Sequence, residues 1–274
     1  MKPGLYADLD EASYHGDRES LSVSGAKKLL PPSCPALFKH ERDNGQAPRQ
    51  VFDFGRAAHA AVLGAGATMR VVDADDWRGK AAREQRDEIR AAGETPVLRA
   101  EAEQVAAMAL AIKAHPIASA LLDRNHGRPE VSAFWDDPTH GVTRRCRFDW
   151  LREAKDGRLL LVDYKSCASA ERNAFAKAAA SYGYDMQDAW YTDMAHALGL
   201  ADDVSFLFIA QEKTAPYLVN VIELDAPSIE RGRRRNDKAL QIYRDCTEAD
   251  VWPGYADDVE LISLPRWAFY EDAA

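Results

Sequence analysis

The chain has 274 residues, 46% of them hydrophobic and 29% charged, which is ordinary globular usage and excludes wholesale disorder or a fibrous repeat. Its 44 acidic against 35 basic side chains give a formal charge of −9, which argues against coating nucleic acid through bulk charge. The four scattered cysteines form no C-x-x-C pair and so suggest no zinc, iron–sulfur or dithiol site.

Apolar runs such as RLLLVDY and VSFLFIAQ are far shorter than the ~20 residues of a membrane span, so no membrane partner is expected. The first stretch, MKPGLYADLDEASYHGD, has neither an apolar run nor a cleavage signature, so the reading is cytoplasmic.

In chain order, SLSVSGAKKLL reads as a helix with Ser22 or Ser24 as N-cap, interrupted by PPSCP. QVFDFGRAAHAAVLGAG is a short helix ended by Gly64 and Gly66. WRGKAAREQRDEIRAA has helical composition but a thin apolar face and is expected to be exposed or mobile. LRAEAEQVAAMALAIKAHPIASALL is a long Ala-rich helix that breaks near Pro116.

The period then changes. PEVSAFWDD, TRRCRFDWLR and GRLLLVDYKS carry the aromatic and β-branched residues of strands, joined by short links. Two helices follow, ERNAFAKAAASYGY and DMQDAWYTDMAHALG, then strands VSFLFIAQE and YLVNVIEL, a helix over 227–245 and an irregular tail. This order predicts an α/β (α+β mixed) fold, a central mixed sheet flanked by helices. One domain over 1–274 is expected: a helical part to about 125, a core over about 126–224, and a C-terminal helix and tail over 225–274.

The chemistry concentrates in RCRFDWLREAKDGRLLLVDYKS. Residues two apart on a strand share a face, so Asp163 and Lys165 point the same way, and an antiparallel neighbour ending in R-F-D brings Asp149 alongside. An Asp-x-Lys pair on a strand is commonly a surface ion pair worth little. After LLLV, however, the run is too apolar for an exposed edge, and buried unpaired charge costs several kcal/mol. Two close carboxylates repel unless a cation sits between them, and oxygen ligands without cysteine favour a hard ion, Mg²⁺ or Mn²⁺.

Asp149, a link of about a dozen residues and Asp163-x-Lys165 resemble the PD-(D/E)xK nuclease signature, with Phe148 in place of the proline before the first Asp. Gly55 and His59 in FGRAAHAAVLG match the G-x-x-x-H helix of the RecB-like and RecE-like branch, Glu130 its acidic residue before the core strands, and Gln187 and Tyr191 its Q-x-x-x-Y motif. The likeness to RecE-type exonucleases, the exodeoxyribonuclease VIII family, runs from about Leu21 to Leu224 with the elements in the family's order. Ser166 stands where many relatives carry Thr, and the cysteines of the iron–sulfur relatives are absent.

The resemblance implies a restriction-endonuclease-like fold and metal-dependent hydrolysis of linear double-stranded DNA from its ends, in the 5′→3′ sense, in recombination or repair. Metal ligands would be Asp149, Asp163, the backbone carbonyl of Tyr164 and His59, with Glu130 holding a second metal or orienting water and Lys165 as electrostatic catalyst. Gln187 and Tyr191 would contact DNA, and Arg144, Arg145 and Arg147 would track phosphates. RGRRR at 231–235 is a second basic run, read as a solvated face. A single-strand annealing protein and a symmetric homo-oligomer are the implied partners. Other readings are an endonuclease or single-strand nuclease of the same fold, and a non-catalytic DNA-binding or assembly protein.

Overall fold

The computed structural model describes residues 1–45, 50–154 and 156–269, the side chain of Trp267 excepted. Lys155 in the AKDG link and residues 270–274 of the tail lie outside it. The chain opens with β1 (Gly4–Tyr6) and α1 (Glu11–Gly16), a short helix capped by Asp10, whose carboxylate accepts the Ser13 N–H. After the two-residue β2 (Leu21–Ser22), Ser22 caps α2 (Val23–Lys28) by accepting from Gly25 N–H at 3.2 Å. PPSCP ends that helix, and α3 (Pro35–Asn44) starts on a proline, at the turn where a missing N–H is harmless.

Next come α4 (Gln50–Leu63), β3 (Met69–Val72), α5 (Lys80–Ala91) and β4 (Thr95–Leu98). The long Ala-rich helix divides at Pro116 into α6 (Arg99–Ala114) and α7 (Pro116–Leu121). The strands β5 (Gly127–Asp137), β6 (Val142–Glu153) and β7 (Leu159–Cys167) follow, then α8 (Arg172–Tyr182), α9 (Tyr184–Ala197), β8 (Val204–Glu212), β9 (Val219–Ile222) and α10 (Ala226–Ala249).

The main sheet is mixed, ordered β1-β5-β6-β7-β8-β9, with β2 pairing parallel to β6 off that path. β5, β6 and β7 form an antiparallel meander. The α8–α9 crossover returns the chain to pair β8 parallel to β7, and β9 closes the edge antiparallel. The fold is thus the mixed sheet with flanking helices that the element order implies, plus a separate parallel pair, β3–β4, between α4 and α6.

Each face of the sheet carries its own core. Phe148, Leu161, Phe206 and Phe208 pack with α2, α3, α8, α9 and α10 on one side. Trp150, Val162, Tyr164 and Ile209 pack with α4, α6 and α7 on the other. α5 is neither fully exposed nor loose, because Ala82 and Ile89 close on Val72 in a small satellite cluster.

α10 lies very close to α9. A Cβ built on Gly232 would stand 2.0 Å from the carbonyl oxygen of Asp185, so only glycine permits the contact. The same contact explains most of the RGRRR run: Arg231 and Arg235 bind the buried Asp185 carboxylate, and Arg233 binds Asp193. In place of a solvated face, the run is largely a clamp between two helices.

Gly232→Ala overpacks this crossing and should destabilise by about 2 kcal/mol or more, seen as a fall of several degrees in the thermal midpoint. Asp188 in α9 makes a second prediction. One of its oxygens accepts from Thr192 at 3.2 Å, while the other is buried with no partner among the described residues. Burial raises its pKa to about 7, from 3.8. The folded chain therefore holds an extra proton between those values, so this group's contribution to stability declines as pH rises through the window and does not recover above it. Melting curves should show Asp188→Asn losing less stability than the parent chain between pH 5 and pH 8.

Candidate active site

The site arises where the β-ladder comes apart. β6 and β7 pair from Glu153↔Leu159 to Trp150↔Val162 and no further. The next step would set Asp149 against Asp163, two carboxylates face to face. Instead the strands part, and Asp149 Oδ2 accepts the Tyr164 N–H at 3.0 Å.

On the other flank, the pairs Pro129↔Trp150 and Val131↔Phe148 bracket Glu130 against Asp149. Glu130 has φ +55°, a left-handed backbone that is uncommon outside glycine. The face alternation slips here too. Phe148 and Trp150, two residues apart, belong to opposite cores, although a regular strand would put them on one face. The outcome is a row of three acids, Glu130, Asp149 and Asp163, across three adjacent strands.

Cations answer the row from two sides. His59 on α4 sets Nε2 2.9 Å from Asp149 Oδ2 and Nδ1 3.3 Å from Glu130 Oε1. With a carboxylate at each nitrogen, only the doubly protonated ring can donate to both. Burial disfavours that charge, but Asp149 and Glu130 outweigh it and lift the His59 pKa to about 9. Lys165 Nζ stands 2.5 Å from Asp163 Oδ2, and Gln187 donates to Asp163 Oδ1 at 2.6 Å.

The two aspartates diverge in acidity. Burial, and then the charge of Asp149, push Asp163 up to about 6 against the pull of Lys165. Burial also opposes Asp149 ionisation, yet the His59 pair, Lys165 and the Tyr164 N–H hold it below the usual range. Burial and the Asp149 charge raise Glu130, with His59 resisting. Lys165 is disfavoured by burial but held above its usual range by both aspartates. One acid ionised, one reluctant and a lysine fixed beside them is the asymmetry that close carboxylates produce.

Two of the three acids, Glu130 and Asp149, line a cavity of about 760 Å³, within the size range of ligand sites. Glu130 and Asp149 form its floor, Gly55 and His59 one wall, and Ser22 and Ser24 at the head of α2 another, with the Leu9–His15 arm across the top. In the sequence Ser22 and Ser24 carry only a helix-capping signal, and the N-terminal arm carries none for a site.

The remaining predicted residues separate by location. Gln187 is buried and its amide is engaged by Asp163, so it positions an acid rather than facing DNA. Tyr191 packs edge-on against Phe148 and Phe206 and also reaches the cavity wall. Tyr164 meets Asp149 through its backbone N–H.

Of the three arginines expected along phosphates, two are internal. Arg144 is buried between the rings of Trp190 (4.1 Å) and Trp135 (5.3 Å), beside Asp137. Arg145 donates to the Asp17 and Ser20 carbonyls. Arg147 alone reaches the cavity, held by Ser132 Oγ at 2.9 Å and the Leu9 carbonyl at 2.7 Å, with Glu130 3.7 Å away.

The donor chemistry suits a hard divalent ion: carboxylates from Glu130, Asp149 and Asp163, with one imidazole. Asp163, buried and resisting ionisation beside Asp149, is the group such a charge would relieve. Among the described residues, however, no three His, Cys, Asp or Glu side chains are drawn together as a finished cage. His59 and Lys165 take the carboxylate oxygens instead. The site is therefore neutralised from within, and a metal would have to displace the His59 contact.

No helix among the described residues is long and apolar enough to cross a membrane. No curated protein matches the sequence. A crystal structure from Eubacterium rectale, described as a "Putative exonuclease", shares the fold with a TM-score of 0.62 at 13% identity, covering 96% of this chain and 98% of that one. Residues 22–265 match the family described as "PDDEXK-like domain of unknown function (DUF3799)". The acid row with Lys165 at its end is where that family name places its signature, and the chain belongs to this PDDEXK-like family, built on the PD-(D/E)xK nuclease fold.

Proposed function

We propose that this protein is a metal-dependent deoxyribonuclease that hydrolyses phosphodiester bonds of linear double-stranded DNA from its ends, in recombination or repair. The observation that carries the reading is the row Glu130–Asp149–Asp163 at the point where β6 and β7 part, with Lys165 paired to its last member and Glu130 and Asp149 lining an open cavity. Nucleases of this fold generally use divalent metal ions, and Mg²⁺ or Mn²⁺ suits the oxygen donors of Asp149, Asp163 and Glu130. The order of the RecE-like motifs and the description of the E. rectale protein support the exonuclease reading, 5′→3′ by the same likeness.

A bound divalent ion would supply charge neutralisation and an acidified water. The chain supplies the rest. Gln187 fixes the orientation of Asp163. Lys165 donates toward charge growing on a phosphoryl oxygen, where a fixed ammonium acts more strongly than in water. His59 holds a proton at Nε2 against Asp149 and must release that contact for Asp149 to act as a ligand. Arg147, braced by Ser132 and Leu9, is a cavity cation for a substrate phosphate, beside Arg56 on the same lining. A single-strand annealing protein as partner and a closed homo-oligomer around the DNA complete the proposal.

End-labelled linear duplex, closed circular duplex and single strands incubated with Mg²⁺ test it. Linear duplex alone should be degraded, and EDTA should abolish the activity. Cutting of closed circles would indicate the endonuclease reading, and DNA binding without cleavage the assembly reading. Lys165→Ala should lower kcat about 10²–10³-fold, and Gln187→Ala about 10–100-fold, as for residues that orient a ligand.

Because metal ligands must be deprotonated, metal affinity should rise with pH, first through the titration of Asp163 near 6 and then toward that of His59 near 9. Calorimetry in buffers of different ionisation enthalpy should record proton release on Mn²⁺ binding at pH 7. His59→Ala should reduce that release.

A further inference from the structure

Two lysines on α2 have different surroundings. Lys28 pairs with Glu41. Lys27, half-buried, forms no ion pair and donates no hydrogen bond among the described residues. Its Nζ lies 5.8 Å from the centre of the Tyr184 ring, and Lys165 Nζ lies 5.2 Å from the same ring. The Lys27 stem crosses Gly183, where a Cβ would stand 3.2 Å from Cε and 3.6 Å from Arg235 Nη1. Gly183 has φ +65° and forms the α8–α9 corner, so the absence of a side chain there makes room for the lysine.

The neighbouring acids are already engaged. Asp163 is taken by Lys165 and Gln187, and Asp185 by Arg231 and Arg235. Burial, with Lys165 adding repulsion, disfavours the Lys27 charge and pulls its pKa down to about 7, although Asp163 and Asp185 resist. A partly desolvated ammonium without an acceptor is costly. An anion placed against Lys27 would supply the missing acceptor.

Position indicates which anion. Ser24 lies on the cavity wall, and Lys27 follows it by one helical turn on the same side of α2. Next to Tyr184, whose ring is 5.9 Å from its own, Tyr182 leaves 65% of its surface exposed. Cation and open aromatic together are the pairing used to hold a single nucleic-acid strand.

We infer that Lys27, beside the Tyr184 ring, binds a DNA backbone phosphate next to the one being cleaved, and so sets the position of the strand over the acid row. This rests on the nuclease reading above. Lys27 is a positioning residue, and its three ammonium donors act as a point charge that needs no particular base.

The test uses the full chain, a short duplex and Ca²⁺, with binding followed by fluorescence anisotropy between 50 and 300 mM salt. Lys27→Met keeps the stem over Gly183. It should weaken binding about ten-fold at 100 mM salt and reduce the log–log salt slope by about one. The loss in cleavage should appear mainly in KM, and Lys27→Arg should restore most of it.

A second measurement needs no variant: acylation of Lys27 at pH 7.5, read by mass spectrometry, should be suppressed by the duplex. If the parent chain binds and cleaves DNA while Lys27→Met keeps its affinity and slope, or while the duplex leaves Lys27 labelling unchanged, the inference fails and the nuclease reading stands. If the parent chain neither binds nor cleaves any DNA, the nuclease reading itself falls, and this inference with it.

Discussion

Three carboxylates in one row across a sheet repel each other, and the local structure around Glu130, Asp149 and Asp163 is organised by that repulsion. β6 and β7 stop pairing where Asp149 would face Asp163. Glu130 takes a left-handed backbone opposite Asp149, and strained residues of this kind concentrate at functional sites. The face alternation of β6 slips between Phe148 and Trp150. These three irregularities coincide at the place where like charges are held close together inside an otherwise regular meander.

The surrounding helices act as charge carriers for that row. α4 packs on the Trp150 and Tyr164 side and brings His59 to Glu130 and Asp149. α9 packs on the other side and brings Gln187 to Asp163. The closeness of α9 to α10, which depends on Gly232, holds α9 against the sheet. A packing constraint on a glycine far along the chain thus bears on the orientation of a carboxylate in the site.

Much of this was legible in sequence, and the limits have physical causes. Period-two alternation put Asp163 and Lys165 on one face, and the apolar LLLV before them signalled burial; both are local properties. That Glu130 stands in register with Asp149 depends on pairing between strands, which no single segment specifies. The short strands β1 to β4, of two to four residues, are too brief to show a period. Arg144 and Arg145 read as a basic patch because sequence does not show partners. The clue was Trp135, which pairs across the ladder with Arg144 and stacks on it. Lys27 and Lys28 are indistinguishable as letters, and only packing leaves one without an acceptor.

The internal neutralisation of the acid row has a consequence for how the protein is made. In a zinc finger the ion is needed for the chain to fold at all. Here His59 and Lys165 already hold the acids, and residues of both cores, Phe148, Trp150, Val162 and Tyr164, flank Asp149 and Asp163. Neutralising the acids is thus a task the polypeptide performs with its own side chains. On the proposed function, an ion would be loaded as a late, reversible step onto a finished scaffold, and a chelator would silence the protein without unfolding it.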